Sequence, residues 1–104
     1  MSSMVNKLRG EATLEINGTS YLLRPTFEAL VLAEEELGPL FALVERAGEG
    51  RLKLSEMASL FWFCLAERES VSREAVGQAV AAQGLAQCAK PLRTLLGQIL
   101  QGNG

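Results

Sequence analysis

Glu11-Ala-Thr-Leu-Glu-Ile-Asn-Gly-Thr-Ser-Tyr-Leu-Leu-Arg24 decides how this chain is read. Ala12, Leu14 and Ile16 alternate with Glu11, Thr13 and Glu15, the period-two pattern of a strand with one buried face. Asn17-Gly18 comes next, a dipeptide that tolerates two successive positive φ angles, so the chain reverses in a two-residue turn. Tyr21 and Leu23 continue the pattern on the way back. Counting outward from the turn pairs Ile16 with Thr19, Leu14 with Tyr21 and Ala12 with Leu23 on one face, and Glu11 with Arg24 on the other. A two-stranded hairpin is marginal alone in water. It must pack on the rest of the chain or add to a partner's sheet.

Outward from the hairpin, which covers about residues 10–24, the periodicity changes to that of helices. Pro25 breaks the second strand, and Thr26 caps a helix over about 26–37 whose face is Phe27, Leu30, Val31 and Leu37. Gly38 stops it and Pro39 opens a second, 39–47, with Leu40, Leu43, Val44 and Ala47 at i, i+3, i+4 and i+7. Ser55 is read as the cap of a third helix, 55–68. Its stripe is Met57, Leu60, Phe61, Cys64 and Leu65, widened by Trp62 and Phe63, which marks the most buried helix. A fourth, 72–83, follows Ser72 and ends at Gly84. The fifth spans about 90–101 and starts near Pro91, because proline fits the first turn of a helix better than its interior. The predicted fold is α+β and mostly helical: an N-terminal hairpin followed by four to five short helices packed as a small bundle, one domain over 1–104.

Composition narrows the chemistry. Of 104 residues, 48% are hydrophobic and 21% charged, which suits a globular core and excludes a disordered tract. There is no His, and all twelve acidic residues are Glu. That removes imidazole bases, Ser-His and Cys-His pairs, aspartic dyads and EF-hand loops, so the expectation is a protein that is not an enzyme, with no catalytic, cofactor-binding or metal-ligating residues. The net charge of −2 lacks the basic excess of a nucleic-acid binder. Cys64 and Cys88 are too few for a zinc site and fall on apolar faces. No secretory signal fits the start, and the longest uncharged, strongly apolar run, Met57 to Ala66, is half of what a membrane span needs. A cytoplasmic protein without membrane contact is expected.

Several features are candidates for a site. Glu34-Glu35-Glu36 is the densest charge, but successive helical residues point about 100° apart and do not converge on one ion. Trp62 and Phe63 stand off the main stripe of the third helix, and Leu92, Leu95, Leu96 and Ile99, with Leu100, form an apolar face at the end of the chain. Both sets close the core or anchor a partner's helix in a groove; Trp62, Phe63, Leu92, Leu95, Leu96 and Ile99 are therefore the candidate partner-binding residues. The last two helices could form a helix-turn-helix, which keeps a small DNA-associated regulator as a remote alternative, though Arg93 is the one basic residue in the reading helix.

The order of these signals resembles a known family. Lys7-Leu8-Arg9-Gly10-Glu11, Asn17-Gly18, Leu23-Arg24-Pro25-Thr26-Phe27-Glu28-Ala29-Leu30, Leu37-Gly38 and Gly50-Arg51-Leu52-Lys53-Leu54-Ser55 are similar to the tail assembly chaperone family of gene transfer agents and tailed phages, also described as a tail tube protein family. The resemblance implies a cytoplasmic protein of the bacterial host cell that binds the tape measure protein while the tube polymerises, with the tail tube protein as a second candidate partner. A structural tail component of the particle is the close alternative. Self-association is compatible with either.

Overall fold

A computed structural model describes residues 12–101, and within it the hairpin forms in the expected register. Strand β1 (Ala12–Ile16) pairs antiparallel with β2 (Thr19–Leu23), setting Ile16 against Thr19, Leu14 against Tyr21 and Ala12 against Leu23. Asn17 and Gly18 both take positive φ, 52° and 83°, which matches the right-handed strand twist to a tight reversal. Residues 10 and 11, and with them the expected Glu11–Arg24 pair, lie outside the described residues. Ala12, Leu14 and Ile16 are buried while Thr13 and Glu15 face solvent. The hairpin packs inward on two helices, α4 (Arg73–Gln83) and α5 (Leu85–Gln101).

Helix α1 (Phe27–Leu37) begins where Thr26 accepts a hydrogen bond from the Ala29 N–H at 3.1 Å, and ends at Gly38 with φ 91°. Its inner face differs from the expected one. Ala29 and Ala33 are the buried residues, Leu30 and Leu37 pack at the margin, and Phe27 is 84% exposed. Alanines face inward because α1 lies directly on α3 (Leu54–Cys64), and a small side chain permits that approach. Helix α2 (Leu40–Gly48) sends Leu43 into the core, with Leu40 beside it.

Helix α3 is the centre of the molecule: Met57, Ala58, Ser59, Leu60, Phe61, Phe63 and Cys64 are all buried. Its bounds correct two expectations. The cap is Lys53 rather than Ser55, and the Glu56 carboxylate closes the first turn by accepting from the Lys53 N–H at 2.9 Å. The helix also stops at Cys64 instead of reaching Arg68, because Leu65 turns extended and bridges to Leu23. The Arg24 N–H donates to the Cys64 carbonyl at 2.6 Å and the Ala66 N–H to the Leu22 carbonyl at 3.0 Å. Sheet pairing of otherwise open strand groups replaces the last helical turn. A short 3-10 turn, Arg68–Ser70, then leads to α4, where Ser72 caps by accepting from the Ala75 N–H at 3.0 Å.

The largest correction is at the end of the chain. Helix α5 starts at Leu85 and carries Pro91 in its interior. Proline there deletes one i to i−4 hydrogen bond, the one its N–H would have made to the Gln87 carbonyl. Gln87 is exposed, so water can serve that carbonyl, while Cys88 one residue later is fully buried. Burial of Cys88 ties the turn before the proline to the core, and the Cys88 N–H bonds the Gly84 carbonyl at 3.3 Å.

Two ion pairs tie the helices together. Arg46 of α2 reaches both oxygens of Glu56 on α3 at 2.7 and 2.8 Å, and Arg73 of α4 meets Glu36 of α1. Among the described residues no buried side-chain nitrogen or oxygen lacks a hydrogen-bond partner.

Candidate protein-interaction surfaces

Trp62 and Phe63 follow the wide stripe of α3 out to the edge of the core, where the structure gives them different surroundings. Phe63 is buried; Trp62 is half-buried and donates its indole N–H to the Val71 carbonyl at 2.8 Å. The two rings meet edge to face with centroids 5.2 Å apart. The Arg73 guanidinium lies 4.7 Å from the Trp62 centroid and 4.9 Å from that of Phe63, and Arg68 lies 5.9 Å from Trp62. Each such cation–π contact is worth about 0.5–1 kcal/mol at an exposed site. Glu36, Arg73 and the two rings therefore form one connected corner across α1, α3 and α4.

The terminal apolar face divides by depth. Leu92 and Leu95 enter the core beside Cys88, whereas Leu96 and Ile99 are half-buried and Leu100 is 51% exposed. The helix thus closes the bundle with one edge of its stripe and leaves the other accessible. Phe63, Leu92 and Leu95 belong to one buried core, with Trp62 and Leu96 packed against it, although the aromatic corner is built by α3, α4 and α1 while α5 packs on β1, α4 and α2.

The three adjacent glutamates separate as helical geometry requires. Glu34 accepts from the Leu40 N–H at 3.1 Å and so closes the open first turn of α2, Glu36 pairs with Arg73, and Glu35 is exposed between them. No group of three His, Cys, Asp or Glu residues capable of holding a metal occurs among the described residues. Burial pushes the Cys64 thiol up to about 12, with the Arg68 charge pulling the other way, and burial likewise raises Cys88. Both stay protonated at neutral pH and act as small apolar packing groups. The Glu56 carboxyl is held below its ordinary range by the hydrogen bond from Arg46, then by the Lys53 N–H. This is the imprint of a structural ion pair.

The surface also carries apolar side chains that the sequence reading did not pick out. Phe27 projects from the first turn of α1, Phe41 is 66% exposed on α2, and Leu54 is 43% exposed at the start of α3. Phe27 is expected on the inward face with Leu30, Val31 and Leu37, and the structure turns it out. The signal that would have placed it outside is the Ala29, Ala33, Leu37 spacing at i, i+4 and i+8, which puts Phe27 on the opposite side. Two polar clefts, of about 240 and 480 Å³, share Arg24 and Ala66 along the outer edge of β2. A third hollow, about 370 Å³ and apolar, lies between α3 and α4.

The surfaces thus present partly covered helical faces, with both cysteines buried among the packing residues. A family model described as phage tail tube protein, GTA-gp10, matches residues 9–102. The chain belongs to that family. The match spans the hairpin and all five described helices. No curated protein and no solved structure matches the chain significantly. No helix among the described residues is long and apolar enough to cross a membrane.

Proposed function

We propose that this GTA-gp10 family member is a non-enzymatic tail assembly chaperone, which binds the tape measure protein in the host cytoplasm while the tail tube polymerises around it. The observation that carries the reading is the family match over residues 9–102, joined to a surface made of helical apolar faces. An elongated helical client needs grooves and ridges of that kind, because an amphipathic helix docks through residues at i, i+3, i+4 and i+7. In this reading half-buried Leu96, Ile99 and Trp62 are the contact residues, while Leu92, Leu95 and Phe63 are buried.

A second reading has equal family support: a structural component of the tail tube, which is what the family description says in words. The two readings differ in where the protein ends. Co-expression with the tape measure protein, followed by analysis of purified particles, separates them. Co-purification with the chain absent from particles supports the chaperone; a stoichiometric band in particles makes it a tube component.

A further inference from the structure

Helices α4 and α5 are joined by a single residue, Gly84, where connections between packed helices ordinarily take about two to eight. Gly84 has φ 92° and ψ 148°, a conformation essentially confined to glycine, and a Cβ built on it would touch nothing within 4 Å. The glycine is therefore there for the bend alone. Its N–H ends α4 by donating to the Val80 carbonyl at 2.9 Å, and its carbonyl opens α5 by accepting from the Cys88 N–H at 3.3 Å. Both are i to i−4 bonds of the kind an uninterrupted helix makes. Two dihedral angles of one residue thus separate the bent chain from a single helix running from Arg73 to Gln101. Straightening would also pair the N–H groups of Leu85, Ala86 and Gln87 with the carbonyls of Ala81, Ala82 and Gln83, in a stretch whose residue types all favour helix.

What opposes straightening is the seat of α5 on β1, α4 and α2, where Cys88, Leu92 and Leu95 are buried. The α5 of another copy fills that seat equally well, because it brings the same side chains. We propose that α5 is exchanged between two copies of this chain, with α4 and α5 of each fused at Gly84 into one helix and each α5 seated on β1, α4 and α2 of the other. The chains cross at the two glycines, so the two-fold axis passes between them. The exchange keeps the packing of the monomer, adds hydrogen bonds at the hinge and costs the entropy of association, which makes it concentration-dependent. A hinge as short as this one is the kind that invites exchange.

Sedimentation velocity on the full chain after refolding from urea tests the proposal, because α5 must leave its seat before it can exchange. A species of twice 11.2 kDa should form in Gly84→Ala between about 1 and about 200 µM, and in the wild type only at about 1 mM. Alanine is disfavoured at φ 92° and favoured in the fused helix, which is worth about tenfold at each hinge and so about a hundredfold in the association constant of the dimer. A short glycine-rich insert after Gly84 slackens the hinge and should return the Gly84→Ala chain to monomer. In a dimer mixed from labelled and unlabelled chains, isotope-filtered nuclear Overhauser contacts should join α5 of one copy to β1 of the other. A Gly84→Ala chain that is folded by circular dichroism and monomeric at every concentration overturns the proposal. So does a dimer that lacks those contacts, or one that the insert leaves intact. Should Gly84→Ala fail to fold, a wild type with no dimer at about 1 mM overturns it in the same way.

Discussion

Helices α3 and α5 are both apolar, yet they use that character differently. Of the eleven residues of α3, seven are buried, and β2, α1 and α4 surround it. Of the seventeen of α5, three are buried, and its stripe continues past the core to half-covered Leu96 and Ile99 and exposed Leu100. The difference separates what holds the molecule together from what it can offer to another. Apolar surface enclosed on all sides stabilises the fold; apolar surface left at one edge of a terminal helix is available for association.

The sharpest way to break this contrast is to charge the two edges of α5 separately. Leu95→Glu puts an unpaired carboxylate at a fully buried position and should unfold the domain, a loss above about 4 kcal/mol, read as collapse of the cooperative urea transition. Leu96→Glu, at a half-buried position, should keep its far-ultraviolet circular dichroism and lose client binding instead. If both variants fold equally well, α5 does not close the core.

In α3, Phe61→Ala empties a fully buried site and should cost about 3–5 kcal/mol in chemical denaturation, whereas Leu100→Ala should cost under about 0.5 kcal/mol. Equal losses would erase the distinction between the helices. A smaller effect tests the start of α5. Pro91→Ala restores one helical hydrogen bond and should stabilise the domain by about 1 kcal/mol or more, provided the helix begins at Leu85. Were the helix to begin at Pro91, the same change would be neutral or destabilising.

The smallest effect concerns pH. The Glu56 carboxyl lies below its ordinary value of 4.5 in the folded chain, so it binds a proton less readily there than when unfolded. Its contribution is complete above that ordinary value and is lost as pH falls through the depressed one. Wild type should therefore lose more stability than Glu56→Gln between about pH 6 and about pH 3. Parallel losses would mean that the Arg46–Glu56 pair contributes nothing measurable.

The hairpin was legible because its signals are local: alternation sets the buried face, and Asn17-Gly18 sets the register. Thr26, Gly38, Ser72 and Gly84 marked helix ends for the same reason. The misreadings arose where tertiary contacts outweighed local preference. Leu65 leaves the helix to pair with Leu23, Cys88 holds a turn ahead of Pro91, and Ala29 rather than Phe27 faces α3. For the interaction surface, Leu92, Leu95, Leu96 and Ile99 were readable as one stripe, but its division into buried and accessible edges depends on α2 and β1, far away in sequence. Likewise, Arg73 covering Trp62 joins residues of two helices and leaves no mark in either segment alone.

The proposed role, holding a client during tail assembly, stands or falls on co-expression with the tape measure protein. The tape measure should become soluble, co-purify with this chain and lose it on incorporation into particles, with Leu96→Glu failing to rescue solubility. A tape measure protein equally insoluble with and without the chain, or a chain retained in finished particles, would contradict it.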